Sequence, residues 1–129
     1  MHPEKINDFA LMLHRARLDR RTLDKLSDKE KFTLEDAYKI QDLGIKLRVE
    51  EGEKVIGAKM GLTSKAKREQ MQLDRSIYGI LTDKMQLTEG EVSILHKTVH
   101  PKIEPEIAFY IDRDLQGKVS RQEVLDSCS

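Results

Sequence analysis

The sequence predicts an α+β fold in which helices precede strands. Over the first 50 residues, apolar side chains recur at the spacing of amphipathic helices. Beyond Gly52, short apolar runs contain glycines and β-branched residues, as strands do. Helices and strands that occupy separate parts of a chain are typical of the α+β class. We therefore predict a helical region over 1–52 and a β-rich region over 53–129.

Two amphipathic helices are predicted in the first region. The first is indicated by apolar residues at helical spacing, namely Ile6, Phe9, Ala10, Leu13 and Ala16. Thr33 and Asp36 have the spacing of a capping box and predict the start of the second helix. Gly52 predicts its end, because glycine readily adopts the left-handed conformation that closes a helix.

Strands and two short helices are predicted in the second region. The run "KVIGAKMGLTS" predicts a strand followed by a turn, after which Ser64 caps a short helix. Further strands are predicted at "SIYGILTD", "EVSILHKTVH" and "KIEPEIAFYI". Ser120 and Glu123 form a second capping-box pattern and predict a helix near residue 129, where the sequence gives no helix-stop signal. We therefore expect the chain to be an N-terminal fragment of a longer protein.

The composition excludes several classes of partner. The 23 basic and 23 acidic residues balance, so no excess charge points to nucleic acid or an anionic membrane. Tryptophan is absent, which argues against a stacking surface for single strands. No apolar run approaches the roughly 20 residues of a membrane span. A single cysteine excludes a disulfide framework, and we predict a cytoplasmic protein.

A calcium loop is one interpretation of the acidic residues near the end. Within 112–123, Asp112 and Asp114 fall at positions one and three of an EF-hand loop, Gly117 at six and Glu123 at twelve. The neutral glutamine at position five and the β-branched residues before the loop weaken this match. The alternative is a polar turn that joins a strand to a capped helix.

A pair of carboxylates gives a second metal hypothesis. Glu104 and Glu106 would project from the same face of a strand, and the neighbouring Ile103, Ile107 and Phe109 place that face near a core. Adjacent buried carboxylates repel unless a cation lies between them. Oxygen ligands favour Mg²⁺ or Mn²⁺. The alternative is a solvated strand edge.

Several separate blocks of the sequence together resemble one family. "AYKIQ", "GAKMGLTSKAKREQM", "YGILTDKM" and "HPKIEPEIAF" are similar, in this order over about residues 35 to 127, to the 2-oxo acid hydratases and decarboxylases of aromatic meta-cleavage pathways. These enzymes lie within the fumarylacetoacetate hydrolase superfamily. The resemblance implies that the N-terminal helices lead into a mixed β-roll, and that 53–129 is the first, truncated part of this catalytic domain.

The resemblance also implies roles for individual residues. Glu104 and Glu106 match the pair that binds Mg²⁺ or Mn²⁺ together with a third acidic ligand further along the chain. Lys59 matches a lysine expected to contact the carboxylate or oxo group of the substrate, and a cation there could stabilise an enolate. Ser64 and His100 are further candidates for substrate binding. For these two residues a helix cap and a structural histidine are the simpler alternatives.

Two reactions are compatible with this resemblance. Hydratases of the group usually carry an aspartate before the aromatic–glycine pair, where this chain has Ile77. This difference favours metal-dependent decarboxylation of 2-oxohex-3-enedioate (4-oxalocrotonate) to 2-hydroxypenta-2,4-dienoate. The alternative is 2-hydroxypenta-2,4-dienoate hydratase activity on the same scaffold. The implied partners are a small 2-oxo dicarboxylate and either further copies of the chain or a hydratase.

Overall fold

The structure is a computed structural model that describes residues 1–90 and 98–129. Its helices and strands are, in chain order, α1 (Pro3–Leu18), α2 (Leu34–Glu50), β1 (Val55–Gly61), α3 (Lys65–Gln70), β2 (Ile77–Thr82) and α4 (Arg121–Asp126). Helices therefore precede a small two-stranded antiparallel sheet, which agrees with the predicted α+β class. The mixed β-roll is not confirmed, and the division at residue 52 stays a prediction. No helix in the described residues is long and apolar enough to cross a membrane.

The predicted helix boundaries are formed by side-chain caps. The Asp36 backbone N–H donates to Thr33 Oγ1 at 3.2 Å, and the Thr33 N–H donates to Asp36 Oδ2 at 3.0 Å, which completes the capping box of α2. The hydrogen bond from the Thr33 backbone, with a further one from the N-terminal amine, lowers the pKa of the Asp36 carboxyl. Gly52 follows the helix end with φ of +93°, as the predicted stop requires.

Helices α1 and α2 run side by side in the same direction. The N-terminal amine pairs with Asp36 at the start of α2 at 3.0 Å, whereas His14 Nε2, near the end of α1, lies 2.8 Å from Glu51 Oε1 at the end of α2. The segment between the helices returns along α1, where Phe9 and Phe32 have ring centroids 6.3 Å apart. The small core between the helices consists of buried Ile6, Ala10 and Ile40, flanked by partly buried Met1, Phe9 and Leu43.

A buried polar network joins α2 to the sheet. Arg48 donates from Nε to Glu53 Oε2 and from Nη2 to Thr82 Oγ1, both at 2.8 Å, and Thr82 Oγ1 donates to Glu53 Oε2 at 2.5 Å. The side chains of Arg48 and Glu53 are only 11% and 3% exposed. Burial raises the pKa of Glu53, but the hydrogen bonds from Arg48 and Thr82 outweigh it and hold the pKa below its ordinary value. Glu53 therefore stays ionised at neutral pH.

The sheet begins at this network and contains one irregularity. Val55 pairs with Thr82, but Gly57 pairs with Leu81, so Ile56 is an extra residue that forms a β-bulge. Beyond the bulge the register is regular and places Lys59 directly opposite Gly79. The bulge thus decides which face of the sheet carries Lys59, because side chains alternate along a strand.

One of the predicted strands does not form in the described residues. Residues 103–110 form no strand, and Ile103, Ile107 and Phe109 are exposed instead of packing on a core. The prediction was wrong because β-branched composition favours a strand only where a neighbouring strand supplies hydrogen bonds, and no described strand pairs with this segment. Ile111 alone makes an isolated bridge, to Cys128. The strand predicted at "EVSILHKTVH" lies mostly outside the described residues.

The polar network generates a stability prediction. Glu53→Gln should lower the free energy of unfolding by about 2–4 kcal/mol, because it leaves the Arg48 guanidinium buried without a counter-charge. Urea unfolding followed by circular dichroism measures the change. The control is Glu50→Gln, which alters an exposed ion pair with Lys46 and should cost no more than about 0.5 kcal/mol. Equal costs for the two variants would contradict a structural role for the network.

Candidate active site

Lys59 projects from β1 into open space between glycines. Its neighbours two positions away on the same face of the strand are Gly57 and Gly61, and its cross-strand partner is Gly79. A Cβ at Gly57 would meet nothing within 4 Å, and one at Gly79 would lie 3.6 Å from Gln41 Oε1. The lysine therefore stands on a surface without adjacent side chains on its own strand, where another group could approach closely.

The amine of Lys59 meets both predicted metal ligands. Lys59 Nζ donates a hydrogen bond to Glu106 Oε1 and lies 3.5 Å from Glu104 Oε2. The structure thus brings together the three residues that the sequence places at the centre of the site. The side chains of Lys59, Glu104 and Glu106 are 46%, 64% and 55% exposed, so the predicted burial of the carboxylates is wrong. Residues 103–110 form no strand and are exposed in the described part of the chain, so these carboxylates are not enclosed by a core there.

The carboxylates raise the pKa of Lys59. The hydrogen bond to Glu106 is the main cause, and the charges of Glu106 and Glu104 add to it despite some loss of solvent around the amine. Lys59 therefore carries its positive charge at neutral pH, and acts as a cation and not as a base. The ion pair contributes to stability below the ordinary lysine pKa, and this contribution is lost as the pH rises through the raised value.

The chemistry of the two carboxylates fits a hard divalent cation. Glu104 and Glu106 offer only oxygen, which is the ligand type that Mg²⁺ and Mn²⁺ prefer. They converge on one positive group, Lys59, so their geometry already accommodates a cation. Within residues 1–90 and 98–129, no group of three or more acidic, histidine or cysteine side chains is arranged to hold a metal. An ion held here would complete its coordination with water or with substrate oxygens, as Mg²⁺ usually does.

Ser64 serves as a helix cap in the structure. Its Oγ accepts a hydrogen bond from the Lys67 backbone N–H at 3.3 Å at the start of α3, as the sequence predicts. Arg68 binds the turn before it by donating to the carbonyl oxygens of Leu62 and Thr63, at 3.1 and 2.6 Å. A role of Ser64 in substrate binding stays a prediction.

His100 lies beside a different surface. It adopts a left-handed backbone conformation, with φ of +50°, and lines a groove of about 710 Å³ that includes Leu13, Arg17 and Met85. Lys59, Glu104 and Glu106 are not among the residues that line this groove. The structure therefore does not bring His100 into the cluster around Lys59, and its predicted contact with substrate stays a prediction.

The calcium-loop interpretation does not match the structure of residues 112–123. Residues 101–110, just before Asp112, form no helix, although an EF-hand requires one on that side of its loop. Glu123, the expected bidentate ligand, instead accepts a hydrogen bond from the Ser120 backbone N–H at 2.7 Å. It thereby completes the capping box of α4. The alternative of a polar segment leading into a capped helix describes these residues better.

Two features of the site were not recognised in the sequence. The bulge at Ile56 gives no composition signal, because it depends on the pairing of the strand. Gly79 lies within a quoted block, but its role as the open position opposite Lys59 depends on the register. A glycine inside a strand-like run was the available signal, since it marks close approach of another group.

Curated relatives match almost the whole chain. A 4-oxalocrotonate decarboxylase of Pseudomonas sp is 38% identical over 122 residues, covering 94% of this chain and 47% of that protein. A 2-hydroxyhexa-2,4-dienoate hydratase of Comamonas testosteroni is 39% identical over 117 residues, covering 88% and 44%. The chain thus spans about half the length of these relatives. The resemblance that the motifs indicate is confirmed, and it includes enzymes named for both reactions. No family model matches the chain.

Solved structures of the same kind match two-thirds of the chain. A 4-oxalocrotonate decarboxylase from Pseudomonas putida G7, complexed with magnesium and adipate, is 37% identical with a TM-score of 0.59. It covers 65% of this chain and 32% of that one. The same enzyme complexed with calcium and acetate gives 34% identity and a TM-score of 0.62, with 65% and 33% covered. The matched part of this chain therefore shares the fold of the corresponding part of that enzyme.

The contacts of Lys59 generate a prediction for its titration. The pKa of Lys59 should lie above the ordinary lysine value, and Glu106→Gln should lower it more than Glu104→Gln, because Glu106 accepts the hydrogen bond. The ¹³Cε and ¹Hε shifts of the lysine, followed by NMR from pH 8 to 12, give the value. Glu69→Gln, which removes an exposed carboxylate next to Lys65, is the matched control and should leave Lys59 unchanged. A Lys59 pKa that is insensitive to both Glu104 and Glu106 would contradict the contacts.

Proposed function

We propose that this chain, which is related along about nine-tenths of its length to 4-oxalocrotonate decarboxylases and dienoate hydratases, forms part of the active site of a metal-dependent carbon–carbon lyase. The proposed reaction is decarboxylation of 2-oxohex-3-enedioate to 2-hydroxypenta-2,4-dienoate in the degradation of aromatic compounds. The observation that carries the proposal is the convergence of Lys59 with Glu104 and Glu106, which lie more than 40 positions away in sequence.

The carboxylates of Glu104 and Glu106 would hold the divalent cation, Mg²⁺ or Mn²⁺. When bound, the ion would supply Lewis-acid polarisation of the 2-oxo group of the substrate. The magnesium and adipate in the matched decarboxylase structure support both a hard cation and a six-carbon dicarboxylate ligand. The exposure of both carboxylates leaves room for substrate oxygens beside them.

Lys59 would bind the anionic end of the substrate and stabilise the charge that develops on its oxygen. A lysine ammonium is protonated at neutral pH, so it can attract a carboxylate and donate a hydrogen bond to an enolate oxygen. The open space at Gly57, beside Lys59 on the same face of the strand, would allow a flat, conjugated substrate to approach the sheet.

The bond changes follow from the substrate. The bond between C5 and the distal carboxylate breaks and releases CO₂. Its electron pair forms the C4–C5 double bond, the C3–C4 π pair moves to C2–C3, and the carbonyl π pair moves to the 2-oxo oxygen. One proton added at that oxygen gives 2-hydroxypenta-2,4-dienoate. The cationic Lys59 lowers the energy of this charge movement because it stabilises the oxygen as it becomes negative.

Decarboxylation is proposed over hydration because of the residue before the aromatic–glycine pair. Ile77 is half-buried at the start of β2, and its Cγ1 lies 3.1 Å from the position that a Cβ on Gly61 would take. This position therefore makes an apolar cross-strand contact and offers no group to handle an added water molecule. Hydratase activity is the second candidate, since hydratases are among the relatives at similar identity.

The proposal also includes the rest of the catalytic domain and its assembly. A mixed β-roll would place a third acidic ligand beside Glu104 and Glu106, and Ser64 and His100 would line the substrate path. The complete protein would assemble as a homo-oligomer or with a hydratase, the class of enzyme that consumes the dienoate product. The two-stranded sheet and the solved neighbours support the roll only for the part of the chain that they cover.

Loss of the Glu106 carboxylate tests the metal pair. In the complete protein that carries this sequence, Glu106→Gln should reduce Mg²⁺-dependent turnover of 2-oxohex-3-enedioate roughly a hundredfold or more. Stability should change by less than about 0.5 kcal/mol, because the residue is exposed. Absorbance of the conjugated substrate gives the rate. Glu69→Gln, an exposed carboxylate on α3, is the control and should retain turnover. Full metal-dependent turnover in Glu106→Gln would refute the proposal.

Product analysis separates the two reactions. A decarboxylase should release one CO₂ for each 2-oxohex-3-enedioate consumed and should incorporate no ¹⁸O from labelled water into carbon-bound hydroxyl of the product. A hydratase should leave 2-oxohex-3-enedioate unchanged and add labelled oxygen to 2-hydroxypenta-2,4-dienoate. Mass spectrometry of the products distinguishes these outcomes. A labelled hydroxyl without release of CO₂ would replace decarboxylation by hydration as the proposed reaction.

A further inference from the structure

We propose that Lys59 is an internal counter-ion that competes with the divalent cation for Glu104 and Glu106, so that binding of the cation frees the lysine for the substrate. This inference rests on the proposed function, because it concerns the same carboxylates. It adds an order of events, in which the cation binds first and the organic anion second.

The geometry of the contact requires this competition. Lys59 Nζ is hydrogen-bonded to Glu106 Oε1 and lies 3.5 Å from Glu104 Oε2, so the ammonium already occupies the space where the two carboxylates converge. A divalent ion bound by the same oxygens would lie next to a like charge, which is unfavourable. No other cationic side chain pairs with either carboxylate among the residues that the structure describes. The ammonium and the metal ion would thus compete for the space between the two carboxylates.

The surroundings of Lys59 allow its amine to move away from the two carboxylates. Gly57 and Gly61 present no side chains beside it, and nearly half of its own side chain is exposed. A lysine has four rotatable bonds, and no described contact other than the two carboxylates holds its amine. The backbone of β1 is paired with β2 and can remain in place while the amine moves.

Binding of the divalent cation changes the sign of the net charge at the site. With Lys59 alone, two carboxylates and one ammonium give a formal charge of minus one, which repels an anionic substrate. Adding a divalent cation and retaining the lysine nearby gives plus one, which attracts it. The change of sign therefore favours an anionic substrate that binds the site after the cation.

Mn²⁺ affinity tests the competition directly. The complete protein that carries this sequence is titrated calorimetrically with MnCl₂ at 0.15 M NaCl, as the wild type and as Lys59→Met. Removing the competing ammonium should tighten Mn²⁺ binding about threefold to tenfold, the range expected for exposed ion pairs to two carboxylates. Lys102→Met is the matched control, because it removes a cation two residues from Glu104 that forms no ion pair in the described part of the chain. Salt screens its through-space effect, so the gain should stay below about twofold.

Amine labelling provides a measurement on the unaltered protein. A short pulse of an amine-acylating reagent, followed by peptide mass spectrometry, should label Lys59 faster when Mn²⁺ is present, because the amine has left Glu106. Labelling of Lys102 should not change. Circular dichroism of Lys59→Met confirms that the variant folds, and the labelling result stands even if it does not.

Each outcome decides the inference. Tighter binding in Lys59→Met together with Mn²⁺-dependent labelling of Lys59 supports it. Equal or weaker binding in Lys59→Met, with loss of binding in Glu106→Gln, overturns the competition but leaves the proposed metal site intact. Absence of Mn²⁺ binding in all variants overturns the competition and also removes the metal pair from the proposed function.

Discussion

The buried network of Arg48, Glu53 and Thr82 is the constraint on which the rest of the structure depends. A guanidinium and a carboxylate withdrawn from water are stable only when each satisfies the other, so the geometry of the three side chains tolerates little change. The turn out of α2 lies between Arg48 and Glu53, and Thr82 closes β2. One set of hydrogen bonds therefore fixes where the helix ends, where β1 starts and where β2 stops.

The β-bulge at Ile56 sets the position of Lys59 on the sheet, and therefore the groups that its amine can reach. The bonds between Lys54 and Asp83, at 2.9 Å in both directions, hold the first strand to the end of the second. One additional residue, Ile56, follows at once and resets the alternation of side chains. Lys59 consequently lies opposite Gly79, and its amine reaches Glu104 and Glu106. A site built on paired strands is more rigid than one built on loops, and here only the lysine has that support.

Much of the helical part could be predicted, because caps act within four residues of sequence. The capping boxes at Thr33 and Ser120 form as their spacing indicates. The residues of the site could be predicted from the sequence, but their exposure to solvent could not. Burial depends on what packs against a segment, and the apolar pattern around Glu104 could not show that 103–110 has no neighbouring strand among the described residues. Equally, Arg48 and Glu53 look like ordinary surface charges in a sequence where 36% of residues are charged.

The exposed segment around Ile107 affects the tendency of the protein to aggregate. Residues 107–111 read "IAFYI", an uncharged run of high β-propensity whose large side chains are exposed. Such a run can pair with its counterpart on another molecule, which is how cross-β aggregation starts. Pro105 on one side and Asp112 with Arg113 on the other act as gatekeepers that limit the length of the aggregation-prone segment. The chain therefore carries, next to its proposed metal ligands, both a seed for self-assembly and the residues that restrain it.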